Sequence, residues 1–337
     1  MYDSATIRYA SIQKTLQPTM HTTHEANKLN HVFMFQVHKD SELVERILHR
    51  LLAPNHFFAI NIDKKSREYN SLLSVAGKIP NVVLITSYKI SHGGFSFTNC
   101  TLSQMKQCLE NKCQHFEYYH TCSGQDYPCV SNDAFDHFFA EGTISYIMLD
   151  SDEETARWRN TKYKNRLERI NLTDYVNGRF ADKLHLNGIL RRVLYPIRRP
   201  YHDIAHLWGG WNWFSLSREC IKYILHYCSE NPNFIERFKY TTVPDELVFP
   251  TILYPKTKDL RIKTRNSLRY IEWHPGKDRI GHPMLLDERD YEDILHSGAL
   301  FCRKVERDYS KKLLDLLDIR ARNMKKDELL LQNPKTP

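Results

Sequence analysis

No stretch of this 337-residue sequence approaches the roughly 20 consecutive apolar residues that a bilayer crossing requires. Met1 to Asn30 is polar and lacks the basic head and apolar segment of a secretory signal, so the expectation is a cytoplasmic chain. The eight cysteines, at 100, 108, 113, 122, 129, 220, 228 and 302, form no CxxC pair and no zinc-ligand spacing. In a reducing compartment they are free thiols, several of them packed as small apolar groups. There is no internal repeat, no low-complexity linker, and no zinc-finger, RNP or helix-turn-helix pattern. A nucleic-acid or polyanion-binding role would therefore rest on charge alone.

The chain is 41% apolar, enough to bury a substantial core, and carries a formal charge of +8 with a pI near 8.9. That excess favours anionic partners: nucleic acid, anionic lipid, or the phosphates of a small ligand. The opening alternates strand and helix. His31 to Val37 reads as a buried strand, Asp40 to Leu52 as a helix, Phe57 to Ile62 and Asn81 to Ile85 as further strands, with a helical stretch around Ser71 to Ala76. A helix over Thr101 to Phe116 then leads into a strand at Tyr118 to Thr121, as in a parallel α/β sheet. Ligands of such sheets gather at the carboxyl ends of strands, which is where Asp63, Ser87 and Asp126 fall; each equally suits a turn or a helix cap.

Four later segments carry candidate chemistry. In VPDE, Val243 to Glu246, a proline starts a helix and two carboxylates follow near its positive end, so Glu246 is the candidate base beside Asp245. Asp150 and Asp152 follow the apolar strand Ile144 to Leu149 and imitate an acidic pair that holds Mn2+ or Mg2+, or else the exposed first turn of a helix. Trp208, Trp211 and Trp213 flank Gly209 and Gly210 and offer a face for a sugar ring, or core packing; Trp273 closes a strand read over Arg265 to Trp273. In LFCRK, Leu300 to Lys304, two cations after apolar residues place positive charge at the mouth of a cleft, where a departing diphosphate would need it. The charged run from Ser151 to Asn171 reads as a solvated face. Basic residues Arg191, Arg192, Arg198 and Arg199 read as a surface segment or a phosphate grip. Ser310 to Leu331 reads as a helix that docks on the domain or rests on an anionic membrane.

Taken in order, Val37-His38, NIDKKS (61–66), SGQDYP (123–128), WFSLSR (213–218), VPDE, RNSLRYIEW (265–273) and LFCRK resemble the core-2/I-branching β-1,6-N-acetylglucosaminyltransferase family, with peptide O-xylosyltransferases as near relatives. The resemblance runs from about His31 to Val305. It implies an α/β fold of the glycosyltransferase A type and inverting transfer from a UDP-sugar without a metal, which would make Asp150 and Asp152 bystanders. It implies a nucleotide-sugar half (31–150) and an acceptor-binding and catalytic half (151–309), between a polar leader (1–30) and a basic tail (310–337) that are read from the residues themselves. By the same resemblance Glu246 matches the catalytic base and Lys304 the diphosphate lysine, while Val37, Asp63 and Ser87 fall near positions that contact the uridine. The family's second diphosphate arginine aligns with Gly281, which leaves Arg279 or Arg303 to substitute.

The resulting expectation is a bacterial-type enzyme that moves N-acetylglucosamine from UDP to a sugar hydroxyl, with no cofactor and no nucleic-acid partner. Its acceptor would be a glycan or a lipid-linked saccharide, with peripheral contact at the inner membrane through the tail. UDP-xylose is the alternative donor, and a polyanion-binding protein is the alternative class.

Overall fold

His31–Val37 forms the strand β1, buried on both faces at the centre of a sheet in the computed structural model of the chain. The structure describes residues 28–175, 197–199, 206–273 and 283–324. After β1 come α1 (Ser41–Leu51), β2 (His56–Ile62), α2 (Tyr69–Lys78), β3 (Val82–Thr86), α3 (Phe95–Leu109), β4 (Tyr118–Ser123), β5 (Tyr127–Pro128), α4 (Asn132–Phe138) and β6 (Ser145–Leu149). The second part holds α5 (Asp152–Trp158), a π-helical turn (Arg159–Tyr163), α6 (Lys164–Glu168), β7 (Gly210–Ser217), α7 (Arg218–Glu230), α8 (Pro232–Phe238) and α9 (Asp245–Leu253). It ends with β8 (Ile262–Lys263), β9 (Arg269–Ile271), α10 (Tyr291–His296), β10 (Phe301–Arg303) and α11 (Lys311–Asn323).

The main sheet has seven strands in the order β3-β2-β1-β4-β7-β6-β8. Among the described residues β7 alone runs against its neighbours, pairing antiparallel with both β4 and β6. A small sheet, β5-β10-β9, lies apart from it. Because successive side chains of a strand point to opposite faces, β1 feeds two cores. Phe33, Phe35 and Val37 join Leu43, Leu72, Phe135, Phe301 and Leu313 on one face; Val32 and Met34 join Met105, Ile221 and Leu247 on the other. The chain winds outward from β1 to β3 and then returns to the other side of β1 as β4. The carboxyl ends of β1 and β4 therefore form a topological switch point, the place where open α/β sheets hold ligands.

Two sequence expectations shift. The helix expected over Thr101 to Phe116 is α3, Phe95–Leu109: it starts after the Gly93-Gly94 turn, and Asn111 ends it by accepting from the Cys113 and Gln114 amides at 2.9 and 3.1 Å. Cys113 is exposed, whereas Phe116 is buried by packing on Phe57 rather than by a helical register. The strand expected over Arg265 to Trp273 shortens to β9, since Asn266 accepts from the Leu268 amide at 2.7 Å and Leu268 takes φ 60. All eight cysteines are free thiols and six are buried. No described helix is long and apolar enough to cross a membrane.

Helix α11 docks on the domain through Leu313, Leu314 and Leu317, while Leu316 and Ile319 face outward. Arg46 ties it to α1 through Asp315 and Asp318 at 2.8 and 2.7 Å. Leu317→Ala is expected to cost about 2–4 kcal/mol in denaturant unfolding and Leu316→Ala less than about 0.5 kcal/mol. Equal losses would show that the helix is not seated by this face.

Candidate active site

The sequence VPDE begins α9 after a strained turn. Val243 takes φ 50, a conformation that a β-branched residue adopts at a cost of about 1–3 kcal/mol. The turn is held by the Val243 amide on the Gly93 carbonyl at 2.9 Å, and Asn171 donates to that carbonyl at 3.0 Å. Pro244 then caps the helix, which puts Asp245 and Glu246 in its first turn, where the helix dipole favours negative charge.

The two carboxylates have different surroundings. Asp245 is buried and accepts from Asn212 Nδ2 at 2.5 Å; burial first, and then the charge of Glu246, pushes its carboxyl up to about 7. Glu246 keeps 37% of its side chain exposed and binds Arg166 Nη1 through Oε2 at 2.7 Å, which leaves Oε1 for a substrate. Asp245, expected to meet the acceptor, is instead the buried support of its neighbour.

Arg166 comes from the charged run that reads as a solvated face, and so do Lys162 and Tyr163. In the structure the π-helical turn and α6 carry this run onto the site: Tyr163 and Leu167 are fully buried, and Arg166 reaches Glu246. Lys162 lies over the Trp158 ring at 4.3 Å and is held below the usual lysine range by burial and then by the charge of Arg166. The signal that marks this face is the apolar set Trp158, Tyr163 and Leu167 among the charges.

Asp150 and Asp152 go separate ways. Asp150 accepts from the Tyr163 hydroxyl and is pushed up by burial; Asp152 accepts from the Tyr254 hydroxyl at 3.0 Å. Between them Ser151 caps α5 in a capping box with Glu154. Gly209 passes so close to Tyr163 and Asp150 that any side chain there would collide with both. The acidic pair therefore sits in a helix start, each member bound to its own tyrosine.

On the other flank, the first residues of β7 alternate. Asn212 faces α9, whereas the Trp213 ring lies under the Arg303 guanidinium at 3.7 Å. Arg303 also binds Asp126 at 2.8 Å, and Asp126 in turn accepts from the Ser123 amide and hydroxyl at 2.6 and 2.5 Å. Asp126 and Arg303, both expected at the donor, are 1% and 8% exposed, so their buried pair fixes the end of β10 instead of presenting charge at a cleft mouth.

Lys304 is the cation that remains half-buried at this edge, and its ammonium makes no ion pair within 4.0 Å among the described residues. Burial, followed by the charges of Lys39 and Arg303, holds it below the usual lysine range. Lys39, which pairs with Glu306 at 2.7 Å, is a site residue that the sequence reading missed, although it follows Val37-His38 at the end of β1. His38 is lowered by burial and then by Lys39, with Lys304 also acting on it, so these groups share one electrostatic neighbourhood.

Val37, at the end of β1, accepts from the Asp63 amide at 2.9 Å. Asp63 accepts from Lys65 and Ile90 amides at 2.9 and 3.3 Å and so shapes the two loops after β2 and β3; Ser87 lies half-buried in the second. Trp211 meets Trp273 edge to face, 5.4 Å between ring centroids, with both indoles partly exposed. Arg279 and Gly281 lie outside the described residues, as do Arg191 and Arg192. Arg199 donates to the carbonyls of Leu167, Arg237 and Tyr240 and so serves the fold.

The arrangement is thus a half-exposed carboxylate on one flank of the β7 start and a half-buried lysine on the other. Comparison with known proteins bears on what it serves. The family profile described as Core-2/I-Branching enzyme matches residues 32–295. Xylosyltransferase 1 of Pan troglodytes is 24% identical over 254 residues, 74% of this chain and 25% of the relative. Xylosyltransferase 2 of Rattus norvegicus is 24% identical over 323 residues, 85% and 33%. Xylosyltransferase oxt of Drosophila melanogaster is 25% identical over 239 residues, 68% and 24%. The chain spans a quarter to a third of the length of these curated relatives.

Asp245 generates a pH dependence. An unfolded aspartate releases its proton near 4, so between about 4 and 7 the folded state binds the extra proton and stability falls as the pH rises. Asp245→Asn keeps an acceptor for Asn212 and removes the buried charge. It is expected to melt above the wild type at pH 8 and to match it at pH 4; a variant lowered equally at both would contradict the assignment.

Proposed function

The chain belongs to the core-2/I-branching enzyme family, whose members share the glycosyltransferase A type of fold, and from that premise we propose that it is an inverting glycosyltransferase using a UDP-sugar. The observation that supports this reading is that the chain neighbours of Glu246 and Lys304 are both anchored at the start of β7. Glu246 is adjacent to a residue bound to Asn212, and Lys304 is adjacent to one stacked on Trp213; these two anchors are consecutive on β7.

The chemistry follows from this geometry. The acceptor hydroxyl oxygen attacks the anomeric carbon while the bond to the diphosphate oxygen breaks on the opposite side, which inverts the centre. Glu246 Oε1 takes the hydroxyl proton, and Arg166, bound to Oε2 at 2.7 Å, aims the carboxylate. Lys304, with Lys39 behind it, meets the negative charge that grows on the departing UDP. Trp211 and Trp273 provide aromatic faces for the acceptor sugar. Asp126 and Arg303 act at one remove by fixing the strand that ends at Lys304.

N-acetylglucosamine is the proposed donor sugar, as the family resemblance implies, and a glycan or lipid-linked saccharide the acceptor. UDP-xylose is the second reading, favoured by the xylosyltransferase relatives. Hydrolysis and transfer assays over a panel of UDP-sugars separate the two.

Transfer is proposed to need no catalytic metal. Glu246→Gln and Lys304→Ala are each expected to lower kcat/KM by more than about 10²-fold in steady-state assays, as loss of a base or a charge stabiliser does. Asp150→Asn and Asp152→Asn should stay within about tenfold of wild type, and neither Mg2+ nor Mn2+ should stimulate. Strong stimulation by either ion, lost in the aspartate variants, would move the chemistry to that pair.

A further inference from the structure

At the opposite, amino-terminal edge of the sheet, His31 of β1, His56 of β2 and Asp136 of α4 converge in the core. Their ligand atoms all lie within 4.8 Å of one another, and they form the one such group of histidine, cysteine or carboxylate side chains among the described residues. Both histidines are fully buried and Asp136 nearly so. Their spacing of 25 and 80 residues follows no ligand motif, which is why the sequence shows no metal signature.

The hydrogen bonding is unbalanced in an informative way. His56 Nδ1 faces the Leu51 carbonyl at 2.8 Å, so it carries the proton. In the neutral ring Nε2 is then a lone pair, yet it faces Asp136 Oδ1 at 2.8 Å, an acceptor against an acceptor. His31 Nε2 has no hydrogen-bond partner and lies 3.8 Å from the same oxygen. One added proton on His56 would satisfy the first contact and leave His31 Nε2 unanswered. A divalent cation satisfies all three atoms at once.

We propose that His31 Nε2, His56 Nε2 and Asp136 Oδ1 form a zinc site, its fourth position taken by water, that clips β1, β2 and α4 together. In a tetrahedral zinc site with bonds of about 2.0–2.1 Å, ligand atoms lie about 3.3 Å apart; the two separations to Asp136 Oδ1, 2.8 and 3.8 Å, bracket that value, and the histidine nitrogens lie within 4.8 Å of each other. The outer contacts are those that metal ligands characteristically make. His56 is oriented by a backbone carbonyl, and His31 Nδ1 meets His120 Nε2 at 3.0 Å, from where the chain continues to Ser215 at 2.9 Å. Asp136 Oδ1 also accepts from Asn55 at 3.0 Å, and its other oxygen meets Lys28, whose charge Asp133 offsets at 2.8 Å. Two imidazoles and one carboxylate suit zinc better than Mg2+ or Ca2+, which prefer all-oxygen shells. The site lies across the sheet from Glu246 and Lys304 and takes no part in transfer.

The test uses the untagged 337-residue chain, stripped with chelator and titrated with Zn2+. Elemental analysis after dialysis should give about one zinc per chain, and zinc should raise Tm. His31→Phe preserves packing among Tyr118, Phe135 and Phe139 and should abolish both effects, as should Asp136→Asn. X-ray absorption of the zinc-loaded wild type, which needs no variant, should show nitrogen and oxygen neighbours and no sulfur. A wild type that retains no zinc, a His31→Phe protein that retains as much as wild type, or a sulfur shell from the cysteines would each overturn the proposal.

Discussion

The site depends on the reversal of one strand. Were β7 parallel to its neighbours, its amino end would lie at the far edge of the sheet, and Asn212 and Trp213 would be remote from the ends of β1 and β4. Running antiparallel, it brings its first residues to the carboxyl edge. Its side-chain alternation then sends Asn212 to the helix bearing Asp245 and Glu246, and Trp213 to the strand that ends at Arg303. The helix bearing Glu246 packs on one face of the sheet and the strand leading to Lys304 on the other, each anchored on the same short stretch of β7.

Charge is sorted accordingly. Buried members of the site are paired or neutralised: Asp126 with Arg303, Asp150 with Tyr163, and Asp245 pushed up toward neutrality by its burial. The groups left within reach of solvent include Glu246, one of its oxygens committed to Arg166, Lys304, and Lys39 in its pair with Glu306. This follows from the cost of burying unpaired charge, and it leaves Glu246 and Lys304 available for the roles of base and cation proposed for them.

The frame was legible in the sequence because it rests on local patterns. Alternating strand and helix gave β1 to β4 with small shifts, and the helix read over Asp40 to Leu52 is α1, Ser41–Leu51. Pro244 announced the start of α9. What could not be read were contacts between distant segments. Arg166 looks like any arginine in a charged run until the π-helical turn rotates it onto Glu246, 80 residues away. Arg303 looks like a candidate phosphate ligand until Asp126, 177 residues upstream, takes it. Both outcomes are set by tertiary pairing, which residue type and spacing do not encode.

The central claim is that a UDP-sugar lies between Glu246 and Lys304, and a structure of the chain with UDP bound tests it most directly. The account predicts the uracil near Val37, Asp63 and Ser87, and a β-phosphate oxygen within about 3 Å of Lys304 Nζ, with Glu246 facing the open side of that phosphate. A nucleotide whose diphosphate touches neither Lys304 nor Lys39, or whose leaving oxygen points away from Glu246, would contradict it.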